Sequence, residues 1–304
     1  MPPTSQIVPV FDYSAQPNVG RMPTWVRQPL SDQPFYSRTA QAIHQNQLHT
    51  VCEEARCPNR GECWSRGTAT LMLLGDTCTR ACGFCAVKTG KPTWLDAQES
   101  LRVADAVIKM QLDYVVLTSV NRDDLPDGGA SVFADSLRQI RLRKASIGLE
   151  VLTPDFWQAQ TQAVKIIADA LDEDLPSLIW GHNVETVPRL YKIARKGSRY
   201  DRSLRLLELA AAQQGIQTKS AVMLGLGETK DEVLQVLQDL RNIGVSRIAL
   251  GQYLRPTRHH LPVKEYVALE DFAFYDSQAR KLGFSWVKAG PLVRSSYHAS
   301  DKQS

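Results

Sequence analysis

All six cysteines of this 304-residue chain lie between Cys52 and Cys85, and the 219 residues that follow contain none. No other feature limits the possible folds so strongly. A disulfide-stapled protein distributes its bridges over the fold, and a chain of this size buries most of its apolar surface without cross-links. Thiols crowded into one window point to metal or redox chemistry instead. They fall into two triplets. Cys52, Cys57 and Cys63, in CEEARCPNRGEC, are separated by four and then five residues. Cys78, Cys82 and Cys85, in CTRACGFC, are separated by three and then two. Structural zinc sites favour close pairs on two knuckles, whereas each group here has three thiols and the first is widely spaced. Soft thiolates suit iron–sulfur clusters as well as zinc, and a cubane held by three of them leaves one iron open to a non-protein ligand. On spacing alone, zinc stays open as the alternative.

The remaining composition excludes several classes of function. Hydrophobic residues at 43% and charged residues at 22% are ordinary for a soluble domain. A formal charge of +4 is too slight to argue for nucleic acid or a membrane surface as partner. No apolar run approaches 18 residues, so no membrane span is expected. The N-terminal MPPTSQIVPVFDYSAQPNVG lacks a basic start followed by an apolar stretch, and no Arg precedes Arg21. Neither a secretory signal nor a transit peptide is therefore expected, and the expected compartment is the reducing cytoplasm.

Downstream of the triplets, apolar β-rich runs alternate with stretches of helical period. The expected strands are Ala69–Leu74, Tyr114–Ser119, Ile147–Leu152, Leu178–Asn183, Gln217–Leu224 and Ser246–Gly251. The expected helices are Ala97–Met110, Ala130–Lys144, Ala159–Leu171, Ser203–Gln214, Asp231–Ile243 and Leu269–Leu282. This alternation predicts an α/β fold with a parallel sheet and outer helices, a partial (βα)6 TIM-like barrel. Its active site belongs at the C-terminal strand ends, and polar residues do gather there. Thr118, Ser119, Asn121, Arg122, Asp123 and Asp124 follow the second strand; Thr153 and Asp155 follow the third, which holds Glu150. His182, Asn183 and Glu185 end the fourth, Lys219, Ser220 and Glu228 belong to the fifth, and Gln252, Tyr253, Arg255, His259 and His260 to the sixth. Each group has a plainer explanation. Asn183 and Glu185 suit a helix cap, Glu228 a first-turn carboxylate, and His259-His260 a solvated loop.

The C-x3-C-x2-C triplet, with Phe84 before its last cysteine, is similar to the signature of radical S-adenosylmethionine (SAM) enzymes. The segments CEEARCPNRGECW, CTRACGFCAVKTG, TSVNRDDLPDGGA, HNVETVPRLY, MLGLGE, GQYLRP and GPLVRSSYHA resemble those of the lipoyl synthase family, in that family's order. They run from Val51 to about Ala299, most of the chain. MPTWVRQPL also resembles the family's N-terminal extension.

The resemblance implies a barrel of the radical SAM type and two [4Fe–4S] clusters. Cys78, Cys82 and Cys85 would hold the cluster whose open iron chelates SAM, which one electron cleaves to methionine and a 5′-deoxyadenosyl radical. Cys52, Cys57 and Cys63 would hold an auxiliary cluster that donates sulfur. Its fourth ligand would be a serine of the RSSY tail, Ser296 by position, with Ser295 as the second choice. The implied reaction inserts two sulfur atoms at carbons 6 and 8 of an octanoyl chain on a carrier-protein lysine. Implied partners are octanoylated lipoyl carrier domains, namely the acyltransferase subunits of 2-oxoacid dehydrogenases and the glycine cleavage H protein, and an electron donor such as flavodoxin or ferredoxin. Ser119, Asn121, Asn183, Glu185 and Arg189 are the expected SAM contacts, ahead of Glu150; Met223 and Leu254 suit adenine or the acyl chain. The expected organisation is an extension with the auxiliary motif over residues 1–66, the barrel over 67–290 and the tail over 291–304. Two positions depart from the family: Ala81-Cys82-Gly83 stands where Arg-Cys-Pro is common, and Asn121 where Asp is. Neither removes a cysteine.

Overall fold

The computed structural model describes residues 13, 18–26, 34–55, 57–65, 70–171 and 177–297. Ala69, Arg56, most of the first 17 residues, the end of MPTWVRQPL and the tail from residue 298 lie outside the described residues.

Four short elements precede the barrel: α1 (Pro34–Gln45), β1 (His49–Thr50), α2 (Val51–Glu54) and α3 (Arg60–Ser65). Thr50 starts α2 because its hydroxyl accepts from the Glu53 N–H at 3.3 Å, satisfying a donor with no helical partner. Next come β2 (Thr70–Leu73), the two-residue ladder of β3 (Thr77–Cys78) and β4 (Lys88–Thr89), and α4 (Glu99–Lys109). The chain then runs through β5 (Tyr114–Ser119), α5 (Ala130–Arg143), β6 (Gly148–Leu152), α6 (Gln160–Ala168) and β7 (Leu178–Gly181). After α7 (Tyr191–Ala194) and α8 (Tyr200–Ala211) follow β8 (Ile216–Leu224), α9 (Lys230–Asn242), β9 (Arg247–Gln252), α10 (Leu269–Lys281) and β10 (Trp286–Gly290).

The main sheet has the order β1-β2-β5-β6-β7-β8-β9-β10, parallel throughout except where β1 pairs antiparallel with β2. Spatial order thus follows chain order, as successive strand–helix–strand crossovers of one hand require, and the open edges lie at β1 and β10. This is the partial barrel of six strand–helix units. Two strands are additional: the two-residue β1 at one edge, and at the other β10, parallel to β9 from Trp286↔Arg247 to Gly290↔Gly251. The run WVKAG is short and ends in glycine, so neither periodicity nor propensity marks it; pairing with β9 makes it a strand.

The strands are buried on both faces, which accounts for their continuous apolar runs. Toward their N-terminal ends the interior is polar. Lys219 Nζ lies 2.9 Å from Glu150 Oε1, and the Tyr114 hydroxyl donates to Glu150 Oε2 at 2.7 Å. Glu150 is therefore the partner of a buried lysine, not a ligand contact, because alternation along β6 turns it into the barrel opposite β8. The α9 start is a full capping box of Thr229 and Glu232. Glu228 instead folds back on its own loop, accepting from the Gly225 and Leu226 N–H groups. Among the described residues no helix is long and apolar enough to cross a membrane.

Candidate functional site

The loop after β2 carries Cys78, Cys82 and Cys85, and four anchors hold it. Arg80, buried within the loop, donates to both Asp123 oxygens at 2.8 Å and forms a 2.7 Å ion pair with Asp155. Asp155 also binds Arg202 at 2.7 Å, so both cations together hold its carboxyl well below the ordinary range despite burial. The Asn121 N–H points at Cys78 Sγ at 3.3 Å, and its carbonyl accepts from Thr79 at 3.0 Å. The His260 ring bonds the Cys85 carbonyl at 3.0 Å and Thr257 at 2.8 Å. His260 is thus a loop latch, neither a free solvated side chain nor half of a ligand pair. Gly83 completes the set: its N–H donates to the Ala194 carbonyl at 2.9 Å, and its carbonyl accepts from Leu261 at 2.9 Å. A proline here could not make the first bond, which explains locally why Gly83 suits this loop.

The first triplet is carried by α2, α3 and the spacer between them. Cys52 is buried in α2, the Cys57 N–H bonds the Cys52 carbonyl at 3.1 Å, and the Cys63 N–H bonds the Asn59 carbonyl at 2.9 Å. Between the triplets lies a cavity of about 430 Å³, lined by Cys52, Cys57, Cys78, Cys82 and Cys85. Ser295 and Ser296 line it as well, from a tail 210 residues beyond Cys85 (295 − 85). Cys63 packs into the apolar cluster beneath. The cavity size is typical of small-molecule sites. All six cysteines are free thiols, and no group of three or more His, Cys, Asp or Glu among the described residues is placed to hold a single metal ion.

Burial governs the chemistry of three of the thiols. It pushes Cys82 up to about 11 against the pull of the nearby Arg195 charge, and pushes Cys85 and Cys52 up as well. Such thiols stay protonated until an electrophilic metal displaces the proton. Their softness and number fit iron–sulfur ligation.

The remaining expected contacts separate clearly. Ser119, Asn121, Asn183 and Glu185 all line the cavity, as do Met223 and Leu254. Ser119 Oγ and Asn183 Oδ1 are buried without a protein hydrogen-bond partner, a cost that a bound polar ligand would remove. Glu185 holds a left-handed φ of 66°, fixed by bonds to β8 on both sides, its N–H to the Ala221 carbonyl and its carbonyl from the Met223 N–H. Strain of this kind persists where the surroundings over-determine the backbone. Burial raises the Glu185 carboxyl above its usual range.

Arg189 is the exception. It lies outside the cavity, half exposed, and pairs with Glu232 of α9 at 2.7 Å. The cavity is lined instead by Arg80, Arg195, Arg255 and Arg294, of which Arg195 donates to the Asn183 carbonyl at 2.9 Å and to Ser203 at 3.0 Å. Sequence reading passes over Arg195 because RKGSR reads as a solvated basic stretch. Arg80 is legible in principle, as a cation between two cysteines. Arg294, lining the cavity near Cys57 and Glu185, carries no such signal.

Residues 72–240 match the model of the radical SAM superfamily. The chain is 50% identical to the lipoyl synthase of Rubrobacter xylanophilus over 92% of its length and 86% of that protein's. It is 49% identical to lipoyl synthase 2 of Parasynechococcus marenigrum, over 95% of this chain and 99% of that one. Among solved structures, methylornithine synthase (PylB) superposes with a TM-score of 0.51 at 11% identity, covering 90% of each chain. Streptococcus suis SuiB bound to S-adenosylmethionine gives 0.52 at 13% identity, over 76% of this chain and only 54% of SuiB. These two likenesses concern the fold alone.

Proposed function

Because the chain belongs to the lipoyl synthase family of radical SAM enzymes, we propose that its two cysteine triplets hold the family's two [4Fe–4S] clusters. Members of the family insert two sulfur atoms, at carbons 6 and 8 of a protein-bound octanoyl-lysine, and use SAM and two [4Fe–4S] clusters. Their substrates are lipoyl-carrier proteins. The assignment to residues is our own. Cys78, Cys82 and Cys85 hold the SAM-binding cluster; Cys52, Cys57, Cys63 and Ser296 hold the auxiliary cluster, which is consumed as the sulfur donor. Ser296 is preferred to Ser295 by its position in the motif, and Ser295 in addition accepts a long hydrogen bond from Asn183 Nδ2, at 3.4 Å.

One observation carries this reading: a single cavity is lined by thiols from both triplets and by the tail serines. Bound there, SAM and its cluster supply the hydrogen-abstracting power that unactivated C–H bonds require. The chain's own residues bind, orient and exclude water. Ser119 Oγ and Asn183 Oδ1 offer polar contacts to SAM, Asn121 and Glu185 flank it, and Arg195 supplies the nearby positive charge that Arg189 is too remote to give. Met223 and Leu254 give the cavity apolar wall. For the wider setting we propose octanoylated acyltransferase subunits of 2-oxoacid dehydrogenases and the glycine cleavage H protein as carriers. A flavodoxin or ferredoxin serves as reductant, in a cytoplasm that keeps thiols reduced. The organisation proposed is auxiliary motif over 1–66, barrel over 67–290 and tail over 291–304.

The decisive experiment is anaerobic. The chain is reconstituted with iron and sulfide, supplied with SAM, a strong reductant and an octanoyl-lysyl peptide, and the peptide is weighed. A gain of two sulfur atoms is expected; deoxyadenosine without sulfur transfer would reopen the substrate.

A further inference from the structure

Two long-range hydrogen bonds tie the C-terminal turn to the spacer between Cys57 and Cys63. Asn59 Nδ2 donates to the Leu292 carbonyl at 2.6 Å. The Tyr297 hydroxyl donates to the Glu62 carboxylate, at 3.0 Å to Oε2 and 3.2 Å to Oε1. On the tail, the two contacts bracket Ser295 and Ser296; on the spacer, they fall just after Cys57 and just before Cys63. Asn59 is buried, and the Tyr297–Glu62 bond is strengthened by the acceptor's charge. A third feature makes room for the tail: a β-carbon at Gly251, on β9, would collide with the Val293 carbonyl. Within the turn itself the backbone bonds are only Val293 N–H to Gly290 at 3.1 Å and Tyr297 N–H to Arg294 at 3.0 Å.

We propose that Asn59 and Glu62 are positioning residues. The spacer between Cys57 and Cys63 is a cleat that seats the C-terminal turn, through Leu292 and Tyr297, and so delivers Ser296 to the first triplet. This rests on the reading that a tail serine serves the auxiliary cluster. A ligand on a turn with so few backbone bonds of its own is otherwise ordered in large part by its bond to iron, at a cost in conformational entropy. Two hydrogen bonds outside the coordination sphere remove that demand. They also keep the turn seated when the serine oxygen is not bonded to iron, which suits a ligand that has to let go.

The test uses the full chain with both clusters reconstituted anaerobically, and reads hydrogen exchange of residues 291–297 together with the spectrum of each cluster. Asn59→Ala, Glu62→Ala and Tyr297→Phe should each speed exchange of the tail roughly fivefold, the factor for one hydrogen bond of about 1 kcal/mol. Each should also perturb the auxiliary-cluster spectrum, while deoxyadenosine formation and exchange in β5 and β8 stay at the parent level. Glu62→Gln keeps an acceptor for Tyr297 and should restore tail protection. Unchanged tail exchange in Asn59→Ala/Tyr297→Phe would overturn the inference, as would a loosened tail with an unperturbed auxiliary cluster. An auxiliary spectrum indifferent to Ser295→Ala and Ser296→Ala would sink the ligand reading itself, a separate failure.

Discussion

Arg80 and Asp155, 75 residues apart in sequence, meet in a buried ion pair of 2.7 Å that joins the second cysteine triplet to the loop after β6. The same guanidinium clasps Asp123 from the loop after β5. One side chain thereby fixes the cysteine loop to two neighbouring strand ends. Removing it leaves Asp155 with Arg202 and Asp123 without its fork. Arg80→Met should lower stability by about 3–5 kcal/mol, the usual cost of breaking a buried pair from one side. Denaturant unfolding at neutral pH measures this. Arg80→Lys should recover only part of it, since a single ammonium cannot reproduce the bidentate geometry.

The two triplets are expected to fail in different ways. Cys82→Ala should abolish SAM cleavage, and deoxyadenosine formation at the parent rate would defeat the assignment of the second triplet. Cys57→Ala should spare SAM cleavage and stop sulfur insertion. Lipoyl product from that variant, seen by mass spectrometry, would remove the first triplet as sulfur source.

The adjacent tail serines separate in the same assay. Ser296→Ala should depress sulfur insertion more than Ser295→Ala and alter the spectrum of the auxiliary cluster alone. The reverse order would transfer the ligand role to Ser295, whose contact with Asn183 is long, at 3.4 Å.

Stability should fall on mild acidification because of His182. Its neutral ring donates from Nδ1 to the Thr153 carbonyl at 2.8 Å and accepts at Nε2 from Ser203 at 3.0 Å. Burial, with the Arg195 charge, depresses its pKa from 6.5 to about 4. The unfolded chain therefore binds a proton between pH 6.5 and about 4 that the folded chain refuses. The stability is intact above the unfolded value and is lost as pH falls through that window, by ~3 kcal/mol in all. Asp155, held low by its arginine partners, adds its own loss only toward the acid end of this window, as the unfolded carboxyl begins to take up a proton near its ordinary value of 3.8. Chemical unfolding of the parent and of His182→Gln across these pH values should show a steeper loss in the parent; equal slopes would contradict the assignment.

Much of the fold is legible in the chain's residue pattern. The six strand–helix units are marked by apolar runs and helical period, and these are local consequences of burying a parallel sheet under helices. β10 is not legible, since Trp286–Gly290 is a strand only because β9 lies beside it. Among site residues, cysteine spacing identifies six thiols because close ligand spacing is a property of neighbouring residues. Arg189 and Arg195 show the limit of such reasoning: six residues apart and of one type, one pairs with α9 at the surface and the other enters the cavity.

The sequence by itself determined the alternation of strands and helices, the grouping of the thiols and the family to which they belong, all of which depend on short-range pattern. Tertiary structure alone decided that Arg195 and not Arg189 lines the cavity, that Glu150 is spent on Lys219, and that Asn59 and Glu62 grip a tail more than 230 residues away. The physical reason is that each of these contacts joins residues on different elements. Their meeting depends on how the strands are ordered and where the loops cross, and no local spacing encodes that.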